Sequence, residues 1–286
     1  MEHLLFSFIG GDIRQLQVVD MMLGEGYRIK TFGLGKKDVN EKDSLKECVK
    51  GADYIILPLP YSKDKRTVNA PFCEKEIMIE ELLNEANDKQ KVIGGRLDGE
   101  IKKRFLEKGV YTFDYTERED FAVMNAVPTA EGAILKAIEH TPCTLKECNC
   151  LVIGYGRIGK ILASYLKGFG AKVTATSRHK NVLAEIDSFG YKALKTEKIS
   201  DVIGDFDVIF NTVPHMILDL KCLMATKKDV LIIDLASKPG GVDFGEAERL
   251  KRKVLWELSL PGRVSPYTAG RIVKETVLNM VEELEV

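Results

Sequence analysis

The sequence predicts an α/β protein of two doubly wound, Rossmann-like parallel-sheet domains joined by hinge helices. Three observations lead there. Short β-rich runs alternate with amphipathic helical stretches along the whole chain, the pattern of a parallel sheet covered by helices on both faces. The length, 286 residues, suits two domains, each large enough to bury a core. The two halves also repeat one plan. Gly10 and Gly33, at the first turn and the end of the second strand, lie 23 positions apart, as do Gly154 and Ser177. Each half then has a strand ending in proline, "IILPLP" and "VIFNTVP".

The elements follow in order. "LLFSFIGG" reads as the first strand, because its apolar run is strand-length and "MEHLLFSFIGGD" lacks a basic leader and a cleavage site. A helix follows, with Leu16, Val19, Met22 and Leu23 on one face, and then the strands "YRIKTFGL", "ADYIILPLP", "KVIGG" and "GVYTFDY". In the second half "NCLVIGYG" leads into a helix carrying Ile158, Ile161, Leu162, Tyr165 and Leu166; the strands "AKVTATS", "FDVIFNTVP", "DVLIIDLAS" and "KVLWELSLPG" come next. Two helices break the symmetry. After Pro128, Ala130, Ala133, Ile134, Ala137 and Ile138 keep a helical period; after Pro266, so do Ala269, Ile272, Val273, Val277, Met280, Val281 and Leu284. Both prolines suit the first helical position. The expected domains are 1–127, completed by the C-terminal helix 266–286, and 128–265, which holds the linker helix and the nucleotide-binding fold. Two chain crossings of this kind imply a hinge with a ligand site between domains.

Composition narrows the function. Hydrophobic residues make up 45% and charged residues 30%, an ordinary soluble globular mixture. Net charge is −1, from 42 basic and 43 acidic residues, so no basic excess is available for a nucleic-acid partner. No run approaches the roughly 18 apolar residues of a membrane span. The cysteine cluster "CTLKECNC" matches no zinc spacing and has no histidine beside it, so no metal is expected and the six cysteines read as free thiols.

The motif that carries chemistry is Gly154-Tyr155-Gly156-Arg157-Ile158-Gly159, a G-x-G-x-x-G between a strand and a helix. In that context it is a dinucleotide fingerprint: Gly154 permits the tight turn, Gly156 the approach of a pyrophosphate to the helix start, and Gly159 the packing of helix on sheet. An NAD-binding fold places an acid about 20 residues further on, to hold the ribose 2′-hydroxyl. Here the strand ends in Ser177, Arg178, His179 and Lys180, with no acid. A hydroxyl and an arginine fork suit a 2′-phosphate, so NADP is favoured over NAD. Thr212, Val213 and Pro214, in "NTVP", belong to the cofactor-facing edge.

"IGGDIRQ", "NAVPTAEG", "VIGYGRIGK", "NTVP", "IDLASKPGG" and "LPGRVSPYTAG" occur in this order over nearly the whole chain. Together they resemble the A-subunit family of the dipicolinate synthases of spore-forming bacteria. The second half is also similar to the cofactor domains of D-2-hydroxyacid and alanine dehydrogenases. The resemblance implies oxidation of dihydrodipicolinate to dipicolinate (pyridine-2,6-dicarboxylate), for which the residues at the end of the "AKVTATS" strand favour NADP. It also implies partnership with a flavoprotein-like B subunit, in the cytoplasm of a sporulating mother cell; homo-oligomerisation is left open.

The substrate is a small dianion, which helix N-termini attract. Arg14, Asn125, Thr129, Thr268 and the backbone at Gly270 are the substrate-binding candidates, with Thr129 and Thr268 expected at two helix starts facing one cleft. Lys238, Arg263 and Arg271 are further cations. No general base stands out. Glu131, placed in the first turn of the linker helix, serves there either as base or only to stabilise the helix dipole. His215 follows "NTVP" and reaches either nicotinamide or solvent. Asp234, at a strand end, orients nicotinamide or caps the next turn. Two other readings stay open: an NADP-dependent 2-keto acid reductase, and a non-catalytic NADPH-binding subunit that supports a partner.

Overall fold

The computed structural model describes residues 3–35 and 40–286; Met1 and Glu2 of the N-terminal segment lie outside this range. The chain forms two compact units, Met1–Met124 with Ser265–Val286, and Asn125–Val264.

The first unit carries β1 (Leu5–Ile9), α1 (Ile13–Gly24), β2 (Arg28–Phe32), α2 (Leu45–Val49), β3 (Tyr54–Ile56), α3 (Ile79–Glu85), β4 (Lys91–Gly94), α4 (Gly99–Leu106) and β5 (Tyr111–Asp114). Its parallel sheet has the order β2-β1-β3-β4-β5. The chain therefore reverses direction across the sheet between β1 and β3, the switch point where doubly wound folds open a crevice at the carboxyl ends of the strands. Strand alternation sorts the side chains onto two faces. Phe6, Phe8, Tyr54, Ile56 and Ile93 pack with α1 on one side; Ile9, Ile55, Leu57 and Val92 pack on the other with α2, α3 and α4.

A long helix, α5 (Glu119–His140), carries the chain into the second unit. The second unit continues with β6 (Asn149–Ile153), α6 (Arg157–Gly168), β7 (Lys172–Ser177), α7 (Lys180–Ser188), β8 (Lys192–Lys195), α8 (Ile199–Val202), β9 (Val208–Asn211), α9 (Leu220–Ala225), β10 (Leu231–Asp234), α10 (Phe244–Arg249), β11 (Lys253–Trp256) and α11 (Leu260–Val264). The sheet order is β11-β10-β9-β6-β7-β8, all parallel, with its switch point between β6 and β9. The last helix, α12 (Pro266–Glu285), packs on α1 and completes the first unit.

The two proline-led helices differ from expectation in one case. Pro266 does occupy the first turn of α12. Pro128 does not begin a helix but lies inside α5, which starts nine residues earlier at Glu119. A proline there removes one backbone bond and costs about 3 kcal/mol. Burial on both sides of it holds the helix: Phe121 packs in one core, and Ala130, Ala133 and Ala137 in another. Thr129 Oγ1 donates to the Asn125 carbonyl at 2.7 Å, a back-bond that accompanies helix bends.

Candidate functional site

In the second unit β6 delivers Gly154 into a left-handed turn, φ 91°. A Cβ on Gly154 would fall 2.6 Å from Thr212 Oγ1, so the loop seats directly on the β9 edge. Gly156 caps the start of α6, and a Cβ there would meet nothing within 4 Å. A Cβ on Gly159 would lie 2.1 Å from the Gly154 carbonyl oxygen. The three glycines thus do different things: the first bends the chain, the second keeps space open in front of the helix, and the third lets helix and loop touch. Thr176 Oγ1 accepts from Gly154 N at 3.2 Å, and Thr212 Oγ1 donates to the Ile153 carbonyl at 2.9 Å; both tie the loop to its neighbours. Ile158 is partly buried against the core. Tyr155 is buried in it, and burial pushes its hydroxyl up to about 12. Arg157 leads α6 and is engaged by its surroundings.

A groove runs from this loop to the end of β7, lined by Gly154, Gly156, Ser177, Arg178, Val213 and His215. Ser177 Oγ accepts from His179 N at 3.1 Å, which leaves its proton to donate. Arg178 is exposed and has no ion-pair partner among the described residues. Pro214 is exposed on the same loop as His215. Thr176, Val182, Thr196 and Ile217 also line the groove. Sequence alone does not reveal these four, because they carry no motif and are gathered from β7, α7 and two loops.

Asp234 is fully buried. Its Oδ1 accepts from Asn211 Nδ2 at 2.8 Å and Ala236 N at 3.0 Å, and its Oδ2 from Gly241 N at 2.8 Å. Of the two roles expected for it, the geometry is that of the turn cap. Asn211 in turn binds both the carbonyl and the N–H of Val213, at 3.0 and 3.2 Å. The pair therefore fixes the loop that presents His215 to the groove.

The substrate candidates do not form the expected set. Thr129 is not at a helix start: it lies in the interior of α5, buried, with its hydroxyl engaged by Asn125. Glu131 likewise stands well past the first turn, exposed on the middle of α5, because the helix begins earlier than Pro128 implies. Gly270 is a packing residue: a Cβ there would lie 2.8 Å from the Arg14 carbonyl oxygen and 2.6 Å from Gln17 Cβ on α1. Thr268 is half-buried in the first turn of α12, whose N-cap Ser265 makes no side-chain bond. Arg263 pairs with Glu257, and Arg271 with Glu275.

Arg14 is buried. Asp12 caps α1 and also holds the guanidinium, Nη2 to Oδ2 at 2.6 Å, while Nη2 donates as well to the Leu59 carbonyl. Burial works against the charge, but the Asp12 carboxylate outweighs it and the pKa is raised. Nη1 makes no hydrogen bond among the described residues.

Fold and groove carry the features of a nicotinamide dinucleotide site, and the family comparison agrees. Residues 129–239 match the D-isomer specific 2-hydroxyacid dehydrogenase NAD binding domain. The chain is a pyridine-nucleotide-dependent oxidoreductase with a dehydrogenase cofactor domain. Residues 5–116 match the N-terminal domain of the dipicolinate synthase A-subunit. The A-subunit of dipicolinate synthase from Bacillus subtilis is 31% identical, over 99% of this chain and 97% of its own. The crystal structure of its Bacillus halodurans counterpart superposes with a TM-score of 0.91 at 31% identity, covering 97% of both chains. That of the Bacillus subtilis protein gives 0.90 at 29% identity, over 100% of this chain and 98% of the other. The chain belongs to the A-subunit family of the dipicolinate synthases.

Proposed function

We propose that this chain oxidises dihydrodipicolinate to dipicolinate, with NADP as hydride acceptor, in the mother cell of a sporulating bacterium and together with a flavoprotein-like B subunit. The observation that carries the cofactor choice is the end of β7: Ser177 and an unpaired Arg178 line the groove beside the glycine loop, and no carboxylate stands there. An acid at that position would repel a 2′-phosphate, whereas the arginine fork and the serine proton attract it.

NADP, when bound, would accept a hydride from one ring carbon of the dihydropyridine, and a proton would leave a second ring atom as the ring becomes aromatic. Aromatisation supplies driving force, so the protein has mainly to orient the donor and exclude water. The glycine loop and α6 N-terminus would hold the NADP pyrophosphate. His215 and His179 both line the groove; His215, on the loop held through Asn211 and Asp234, is the one proposed to take the proton. Asp234 is then a positioning residue.

The test is a coupled assay. Aspartate semialdehyde, pyruvate and the upstream synthase generate the unstable substrate, and dipicolinate absorbance is followed with and without this chain, NADP, NAD and the B subunit. Dipicolinate formed only when the chain and NADP are present supports the proposal. No acceleration by the chain with either cofactor, alone or with the B subunit, removes it.

A further inference from the structure

The carboxyl edge of the first unit's sheet holds polar groups that its own fold leaves unsatisfied. Gln15 sits in the first turn of α1, folded back over Gly11, where a Cβ would fall 2.3 Å from Gln15 Cβ. It is 3% exposed, and its Nε2 has no hydrogen-bond partner. Tyr115 follows β5 directly, is completely buried, and its hydroxyl is also unpartnered. Burial pushes that hydroxyl's pKa upward, so it stays a donor. A Cβ on Gly95 would lie 2.7 Å from this hydroxyl and 2.8 Å from Leu59 Cδ1. Gly95 thus places the Tyr115 hydroxyl, the end of β4 and Leu59 side by side, and Leu59 is the residue whose carbonyl holds Arg14. Native folds rarely leave buried donors idle.

Arg96, the next residue, adds a second kind of observation. Its φ is 59°, a left-handed conformation uncommon for residues other than glycine. Hydrogen bonds hold the turn: Asp114 accepts from Arg96 N at 3.1 Å and from Leu97 N at 2.6 Å, and Thr116 Oγ1 lies 3.3 Å from Arg96 N. Glycine would serve this turn better. Yet the side chain is exposed, and its guanidinium has neither an ion pair nor a hydrogen bond among the described residues. Among the described residues, Gln15 Nε2 and Arg14 Nη1 on the first turn of α1, and Tyr115 Oη beside Gly95, are thus unmet donors at the carboxyl ends of the first sheet's strands, where Arg96 follows β4 as an unpaired cation.

We infer that this edge is a carboxylate subsite of the first unit, in which Arg96 pairs with a carboxylate of the substrate while Gln15 and Tyr115 donate to it. The inference rests on the proposed dicarboxylate substrate and names residues that would select it. Donors without acceptors suit an anion, and a carboxylate can take the arginine fork and two further bonds at once.

The experiment titrates the whole protein with dipicolinate, with its carbocyclic analogue isophthalate, and with NADPH, by calorimetry. Arg96→Gly, Arg96→Lys and Tyr115→Phe are compared with the parent. Arg96→Gly relieves the left-handed turn, so its melting temperature should hold or rise while dipicolinate binding weakens roughly ten- to hundredfold. Arg96→Lys should recover part of that loss, and Tyr115→Phe should weaken dipicolinate without lowering the melting temperature. NADPH affinity should be unchanged in all three. Unchanged dipicolinate affinity in Arg96→Gly overturns the subsite and leaves the proposed function standing. Binding of isophthalate but not dipicolinate, still dependent on Arg96, supports the subsite and removes dipicolinate as the proposed product. A parent that binds neither dicarboxylate overturns the subsite outright.

Discussion

Arg178 and Gly156 make opposite demands on the same groove, and each can be tested alone. Arg178 is exposed and unpaired, so its removal takes nothing from the fold. Arg178→Ala should weaken NADPH by roughly ten- to hundredfold, the value of one charge-assisted contact at about 1.5–3 kcal/mol, and leave NADH nearly unchanged. Equal weakening of both in a fluorescence titration would sink the NADP assignment, since only one of them carries the phosphate. At Gly156 the backbone has φ −88° and open space where a side chain would go. Gly156→Val should therefore fold with a near-parental melting temperature and lose dinucleotide binding; a folded variant that keeps its NADPH affinity would make the loop structural only. Gly159 has no such room, because a methyl there would press on the Gly154 carbonyl. The G-x-G-x-x-G pattern is legible in the sequence because each glycine has its own steric reason. Arg96 is not legible, because its interest lies in a dihedral angle and in the absence of a partner, and neither is written in residue order.

The elements show the same divide. Strand alternation and helix periodicity announce the two sheets, since side-chain faces follow directly from period. The sequence misplaces the start of α5 because Pro128 has the look of a first-turn residue, and the burial of Phe121 and Ala126 on the preceding turns overrides it. That shift moves Thr129 and Glu131 from a helix start to a helix interior, and removes the idea of two matched anion sites. At α12 the proline signal does mark the start. Gly270 lets α12 close on α1. Gly270→Ala would bring a methyl to 2.8 Å from backbone. Overpacking of that kind costs about 1–3 kcal/mol, so the variant should melt at lower temperature while NADPH affinity is retained. A melting curve identical to the parent would show that the two helices can part without cost.

For the molecule as a whole, the first unit is made from two stretches of chain and the second from one. Ile272, Val273, Val277, Met280 and Val281 of α12 are buried in the same cluster as Phe6, Val18 and Met22. Each such side chain contributes about 1.5–3 kcal/mol on burial. A chain shortened to residues 1–264 should therefore bare the α1 face of the first sheet, bind a hydrophobic dye, and still take up NADPH through the second unit. Loss of NADPH binding, or no dye binding, would contradict this division of labour. Tyr54 Oη donates to Glu285 at 2.6 Å, and Arg118 Nη1 to Glu283 at 2.6 Å, so polar ties secure the far end of α12 as well.

The interrupted first unit also has a history built into it. On the ribosome, β1 to β5 emerge first with α1 but lack α12, which packs on α1 and completes the core on that face. The Rossmann unit of 125–264 is contiguous and has all its parts before α12 exists. Domains usually mature in the order they are translated, yet here the second finishes ahead of the first. During that interval Phe6, Val18, Val19 and Met22 stand open to chaperones, to aggregation and to proteases. A nascent chain stalled at residue 264 should accordingly resist protease over its second unit and be cut readily in its first.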